Sequence, residues 1–157
     1  MLEVGDKLPE FTLSGIDEKG VEKQFSNKNF LGKNLIIYFY PKDNTPGCTT
    51  ESCNFNALLP KIKSKANIVG VSADSLASHL KFQKKYGLQF PLLSDANTKF
   101  ASKMGAFKNK LFAKLLSKGI VRTTFLVDSK GIVKFIWKNV TVSGHDEEVL
   151  QQLEKLV

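Results

Sequence analysis

The stretch PKDNTPGCTTESC, residues 41–53, carries the only cysteines of the chain, Cys48 and Cys53. Their spacing is too long for the C-x-x-C pair of a redox turn and for the short hook of a zinc site. Cys48 falls where a buried strand ends and a helix begins, and open α/β folds place ligand sites at such ends. Unpaired amide N–H groups and the positive end of the helix dipole favour an anion there, hence a thiolate, the nucleophilic form of the side chain. On one intact helix the two Cα atoms would lie roughly 8–9 Å apart and point about 140° apart around the axis. A disulfide needs Cα atoms roughly 4.4–6.8 Å apart. A static bridge is therefore incompatible with the helix, whereas a bond made in one redox state and broken in another would turn the first helical turns into a switch. Zinc fails on ligand count, because there is no second cysteine pair and His79 and His145 read as isolated surface residues.

These residues need elements to hold them. NLIIYFYP (34–41) is a nearly continuous apolar run ending in proline, as for a strand buried on both faces. TTESCNFNALLPKIKSK follows as a helix with a stripe through Phe55, Leu58, Leu59 and Ile62, which Pro60 should bend or break. Before them, 11–25 reads as two short strands around a turn at Asp17 and Gly20. After them come a buried strand at 66–74, an amphipathic helix at 75–87 closed by Gly87, a short strand at 90–95 and a short helix at 97–105. Residues 120–140 read as a hairpin turning at Asp128–Gly131, and 145–157 as a closing helix. The order is that of an α/β protein around a central mixed sheet.

At 157 residues the chain is expected to form one domain, 1–157, burying roughly two-thirds of its unfolded surface. Its 42% hydrophobic and 24% charged residues are those of an ordinary soluble globular protein. MLEVGDKLPEF has acidic residues and no apolar h-region, and the longest apolar run, LIIYFY, is too short to cross a bilayer. A cytoplasmic location with no membrane partner is the expectation, with the cysteines resting as thiols. The net charge of +8 raises the question of nucleic acid. The lysines are spread along the chain, however, and the densest basic stretch, KNKLFAKLLSK (108–118), is interleaved with apolar residues and lacks a nucleic-acid-reading motif. Of 23 Lys and Arg residues, only Arg122 is an arginine.

P-x-x-x-T-x-x-C, realised as Pro41, Thr45 and Cys48, resembles the active-site motif of the peroxiredoxins. Its continuation C-T-x-E-x-C, through Glu51 to Cys53, resembles the bacterioferritin comigratory protein or peroxiredoxin Q branch. The likeness extends to G-D-x-x-P-x-F-x-L from Gly5, to VGVSAD, to F-P-L-L-S-D and to R-T-T-F-L-V-D from Arg122. It implies a thioredoxin-like fold, a central mixed sheet flanked by helices, and thiol-dependent reduction of hydrogen peroxide and organic hydroperoxides. Cys48 would then attack the peroxide and become a sulfenic acid. Cys53 would resolve it as an intramolecular disulfide after local unwinding, and a thioredoxin-like dithiol protein would reduce that disulfide. Thr45 would offer a hydroxyl to the thiolate or the peroxide, and Pro41 would shield the sulfur. Arg122 would contact sulfur and peroxide oxygen together, as a lysine point charge does less well. Glu51 would either orient Arg122 or serve as a helix-N-terminal carboxylate. No metal, flavin or haem is implied, since sulfur carries the electrons, and a monomer suffices because both cysteines lie in one chain.

One departure from the family pattern lies between Gly105 and Gly119, where relatives usually carry a mid-loop glycine and this chain has Ala113 and Leu115. It leaves open whether the peroxide is small or bulky. The main competing reading is a peroxide-sensing redox switch that uses the same cysteine pair, because sensing and turnover share their first step. A disulfide reductase or isomerase is disfavoured by the spacing of the pair.

Overall fold

The computed structural model describes residues 2–108 and 119–156. Apart from Lys108, the basic stretch 108–118 lies outside the described residues, as does the departure at Ala113 and Leu115. A seven-stranded sheet is formed by β1 (Thr12–Ile16), β2 (Glu22–Ser26), β3 (Asn34–Phe39), β4 (Ala66–Ser72), β5 (Leu92–Ser94), β8 (Thr123–Val127) and β9 (Val133–Trp137). Their order is β2-β1-β5-β4-β3-β8-β9. The β3–β4 and β4–β5 pairs are parallel, and the β1–β2, β1–β5, β3–β8 and β8–β9 pairs are antiparallel. A separate two-stranded ladder joins β6 (Phe107–Lys108) to β7 (Gly119–Ile120). The sequence reading did not contain this ladder, because two residues are too few to show a period. The helices are α1 (Pro46–Ala57), α2 (Leu59–Lys63), α3 (Leu76–Tyr86), α4 (Lys99–Met104) and α5 (His145–Leu156). Among the described residues no helix is long and apolar enough to cross a membrane.

β3 lies at the centre of the sheet and feeds both of its faces. Leu35, Ile37 and Phe39 enter one core with Val69, Val71, Leu93, Phe100 and Phe125. The alternate residues Ile36, Tyr38 and Tyr40 enter the other, where Cys48 and Phe55 of α1, Phe82 of α3 and Val149 and Leu153 of α5 pack. This period of two on a doubly buried strand explains why the sequence there is apolar throughout. Gly70 of β4 makes room for Tyr38: a Cβ at that position would lie 2.8 Å from the Tyr38 ring and hydroxyl.

α1 stops at Ala57 and α2 begins at Leu59 with Pro60 in its first turn, since proline's missing N–H cannot continue the ladder. α3 is opened by Ser75, whose Oγ accepts from the Ser78 N–H, and closed by Gly87 in the left-handed region at φ 64°. In the β8–β9 hairpin the Gly131 N–H donates to the Asp128 carbonyl at 3.0 Å.

Two expectations need correction. His79 and His145 are buried, not surface residues. His79 follows Leu76 by three positions and so shares the inward stripe of α3. His145 opens α5, where its ring meets Phe55 and Trp137 edge-on at 5.8 and 5.6 Å. Nor is His79 isolated, because Asp43 and Asp74 place oxygens close to its ring nitrogens.

Candidate active site

The C-terminal end of β3 delivers the chain into a short loop, and α1 starts at Pro46 with Thr45 as the flanking cap residue. Proline fits the first helical position because its missing N–H has no partner there in any case. Cys48 is the third residue of α1 and only 1% exposed. Glu51, one turn further along, lies on the same side of the helix and is also buried.

β8 pairs antiparallel with β3 so that Thr123 stands opposite Phe39. Arg122, immediately before Thr123, is therefore carried to the end of β3 where α1 begins. Its Nη2 donates to the Cys48 Sγ at 3.4 Å and its Nη1 to the Glu51 Oε1 at 2.8 Å. One planar fork thus grips sulfur and carboxylate together, which a single ammonium would do less well. Gly47 lets the fork in: a Cβ there would sit 3.2 Å from Nη2.

The second Glu51 oxygen, Oε2, is buried with no hydrogen-bond partner among the described residues. Burial, opposed by the Arg122 charge and hydrogen bond, pushes the Glu51 carboxyl up to about 7. Partial burial works against the Arg122 charge, but Glu51 and the Cys48 sulfur outweigh it and hold the guanidinium above its ordinary value. Cys53, five positions further along the same helix, is a free thiol raised by burial.

The remaining sequence candidates are placed less tightly. Thr45 turns its hydroxyl to donate to the Lys42 carbonyl at 2.8 Å, leaving the oxygen's lone pairs to accept. Pro41 lies two residues beyond the end of β3 and is solvent-exposed.

The structure also gathers residues that the sequence reading passed over. Tyr38 Oη and Ser52 Oγ share a hydrogen bond at 2.8 Å, joining β3 to the middle of α1. Tyr40 Oη donates to Asp43 at 2.6 Å. His145 Nε2 lies 2.8 Å from Thr124 Oγ1, and its Nδ1 lies 2.9 Å from Glu148. Burial holds the His145 ring below the usual imidazole range, against the pull of Glu148. The available signal was the alternation in β3, which turns both tyrosines towards α1. Asp43, Asp74 and His79 offer the one cluster of possible metal ligands among the described residues. Both His79 nitrogens are nevertheless already engaged, by Asp43 at 2.7 Å and by the Leu93 carbonyl at 2.9 Å.

Known proteins of the same build share this architecture. The sequence pattern of the AhpC/TSA family matches residues 4–136. "Putative peroxiredoxin bcp" of Coxiella burnetii is 42% identical over 154 residues, covering 97% of this chain and 99% of that protein. A cysteine-to-serine mutant of Xylella fastidiosa PrxQ superposes with a TM-score of 0.89 at 35% identity, covering 99% of this chain and 98% of that one. The Xanthomonas campestris bacterioferritin comigratory protein, described in terms of alkyl peroxide reduction and trapped intermediate and ligand complexes, superposes with a TM-score of 0.85 at 40% identity, covering 93% and 91%.

Proposed function

Since the chain belongs to the AhpC/TSA family and is a thioredoxin-fold peroxiredoxin of the Bcp and peroxiredoxin Q kind, we propose that its peroxidase chemistry runs through Cys48 and Cys53, with residues 1–157 acting as one domain. The observation that carries this reading is the Arg122 fork held on the Cys48 sulfur and Glu51 at once. The Cys48 thiolate attacks the terminal oxygen of a hydroperoxide. The O–O bond breaks, sulfur gives up two electrons, and the departing alkoxide takes a proton to leave as an alcohol, or as water from hydrogen peroxide. Arg122 supports the negative charge that moves from sulfur to the leaving oxygen. Thr45 accepts from the peroxide's hydrogen, and Pro41 keeps bulk water off the sulfur.

Cys53 then resolves the sulfenic acid. Its thiol, held up by burial, stays protonated while α1 is intact. Two cysteines five residues apart on a helix are roughly 8–9 Å apart at Cα, beyond the reach of a disulfide. Opening α1 frees the Cys53 thiolate to attack the Cys48 sulfur, expelling hydroxide, which leaves as water. A thioredoxin-like dithiol donates two electrons and two protons to restore both thiols. A monomer completes the cycle, and the substrates are hydrogen peroxide and organic hydroperoxides, in keeping with the alkyl peroxide reduction named for the Xanthomonas relative.

The test is a coupled assay with thioredoxin, its reductase and hydrogen peroxide on three proteins. Wild type turns over, Cys48→Ser is inactive, and Cys53→Ser undergoes one fast oxidation with little thioredoxin-driven recycling. Full turnover by Cys48→Ser would falsify the assignment. Peroxide-treated wild type should lose two hydrogens by mass and part of its helical circular dichroism; unchanged helicity sinks the unwinding step.

A further inference from the structure

The loop between β3 and α1 contains one buried charged residue among exposed ones. Pro41, Lys42 and Asn44 face solvent, while Asp43 is only 6% exposed. A carboxylate is driven inward at such cost only where donors wait for it. Three do. Tyr40 Oη donates to Oδ1 at 2.6 Å, and Ser78 Oγ to Oδ2 at 2.8 Å. His79 Nδ1 lies 2.7 Å from the same Oδ2, with the ring fully buried.

The other His79 nitrogen decides the protons. Nε2 faces the Leu93 carbonyl at 2.9 Å, and a carbonyl can only accept, so Nε2 carries a hydrogen. A further proton lies in the bond from Nδ1 to Asp43. The backbone adds another tie: the Asp43 N–H donates to Asp74 Oδ2 at 2.8 Å, and that oxygen also accepts from Ser72 Oγ at 2.6 Å.

Resting on the reading of Cys48 given above, we propose that Asp43 and His79 are positioning residues for the peroxide step, bracing the 41–45 loop so that α1 presents Cys48 to Arg122. The brace reaches α3 through Ser78 and His79, β5 through Leu93 and the end of β4 through Ser72 and Asp74. None of these anchors belongs to α1. The Cys48 side of the site thus hangs between two independent holds, Arg122 on the helix and Asp43 on the loop before it. When α1 opens, the second hold stays closed and fixes the place to which the sulfur returns.

The test separates geometry from simple thiol reactivity. On the reduced protein, oxidation of Cys48 by hydrogen peroxide and its alkylation by iodoacetamide are timed by quenched mass spectrometry. Peroxide attack needs the sulfur, Arg122 and the loop in register, whereas alkylation needs only an accessible thiolate. His79→Ala and Asp43→Ala should slow peroxide oxidation roughly 10–100-fold, with alkylation near the wild-type rate. Asp43→Asn should recover most of the loss, because its amide donates to a neutral Nδ1 while its carbonyl still accepts from Tyr40. Ser78→Ala, which removes one donor at the edge of the cluster, gives a smaller peroxide-specific loss and carries the test if the alanine variants at 43 and 79 do not fold. Equal falls in both rates, or no fall in either, overturns the positioning role. A wild-type Cys48 that hydrogen peroxide leaves unoxidised overturns the assignment of Cys48 instead.

Discussion

The two faces of β3 differ by little more than an oxygen per ring. On one face Leu35, Ile37 and Phe39 meet Phe100 and Phe125, with the Phe39 ring tilted against Phe100 and edge-on to Phe125 at centroid distances of 5.5 and 5.8 Å. On the other, Tyr38 and Tyr40 pack against Phe55, Phe82 and Phe90 but turn hydroxyls to Ser52 and Asp43. The first face is held by dispersion and exclusion of water, which have no direction and no preferred partner. The second adds oriented bonds that name one partner each and can be exchanged for water when a helix lifts. The apolar face is a fixed support, and the polar jointing is confined to the side that carries Cys48.

Four changes would break or sharpen this contrast. Phe39→Ala, on the apolar face, should cost about 3–5 kcal/mol in urea unfolding, while the protein that remains folded keeps its peroxide rate. A cost below that of the polar-face variants would reverse the assignment of the two faces. Next comes the Glu51 titration. Its folded value of about 7 lies above the ordinary 4.5, so the folded state holds an extra proton between those pH values. The associated stability is complete below about 4.5 and lost as pH rises through about 7, a change of no more than about 3 kcal/mol. His145, held low by burial, gives the opposite slope. The measured quantity is therefore the difference between wild type and Glu51→Gln at pH 5 and pH 8, and a pH-independent difference rules out this titration.

Arg122→Lys keeps a charge but loses the fork, so peroxide oxidation of Cys48 should slow roughly 10–100-fold with little change in melting temperature. An unchanged rate would reduce Arg122 to a structural ion pair. The smallest effect is expected from Tyr38→Phe, which removes one oriented bond to α1 and should cost about 1 kcal/mol. Amide exchange should rise within α1 before it rises in β3, and uniform exchange would mean that the hydroxyl does not hold the helix.

Most of the framework was legible because it depends on local pattern. The apolar run of β3, the break at Pro60 and the glycine cap at Gly87 each act over a few residues, and the structure follows them. Arg122 stood out as the single arginine, and the structure carries it to Cys48 and Glu51. What escaped depends on partners distant in sequence. His79 is 36 positions from Asp43, and His145 is 21 from Thr124. A histidine's residue type says nothing of whether such a partner exists, so both were read as exposed. The Thr45 hydroxyl, expected to serve the thiolate or the peroxide, donates to the Lys42 carbonyl three residues back. Local bonds of that kind commonly win for threonine at a helix start.

The 74-residue separation between Cys48 and Arg122 also matters while the chain is being made. α1 is local and can coil as soon as it is synthesised, but the guanidinium arrives only when β8 docks beside β3. At about 5–20 residues per second, Arg122 follows Cys48 by roughly 4–15 s. On the role proposed for Arg122, the nascent chain carries an unarmed thiol through that interval, and its reactivity is switched on by the pairing of β8 with β3, not by the appearance of the cysteine.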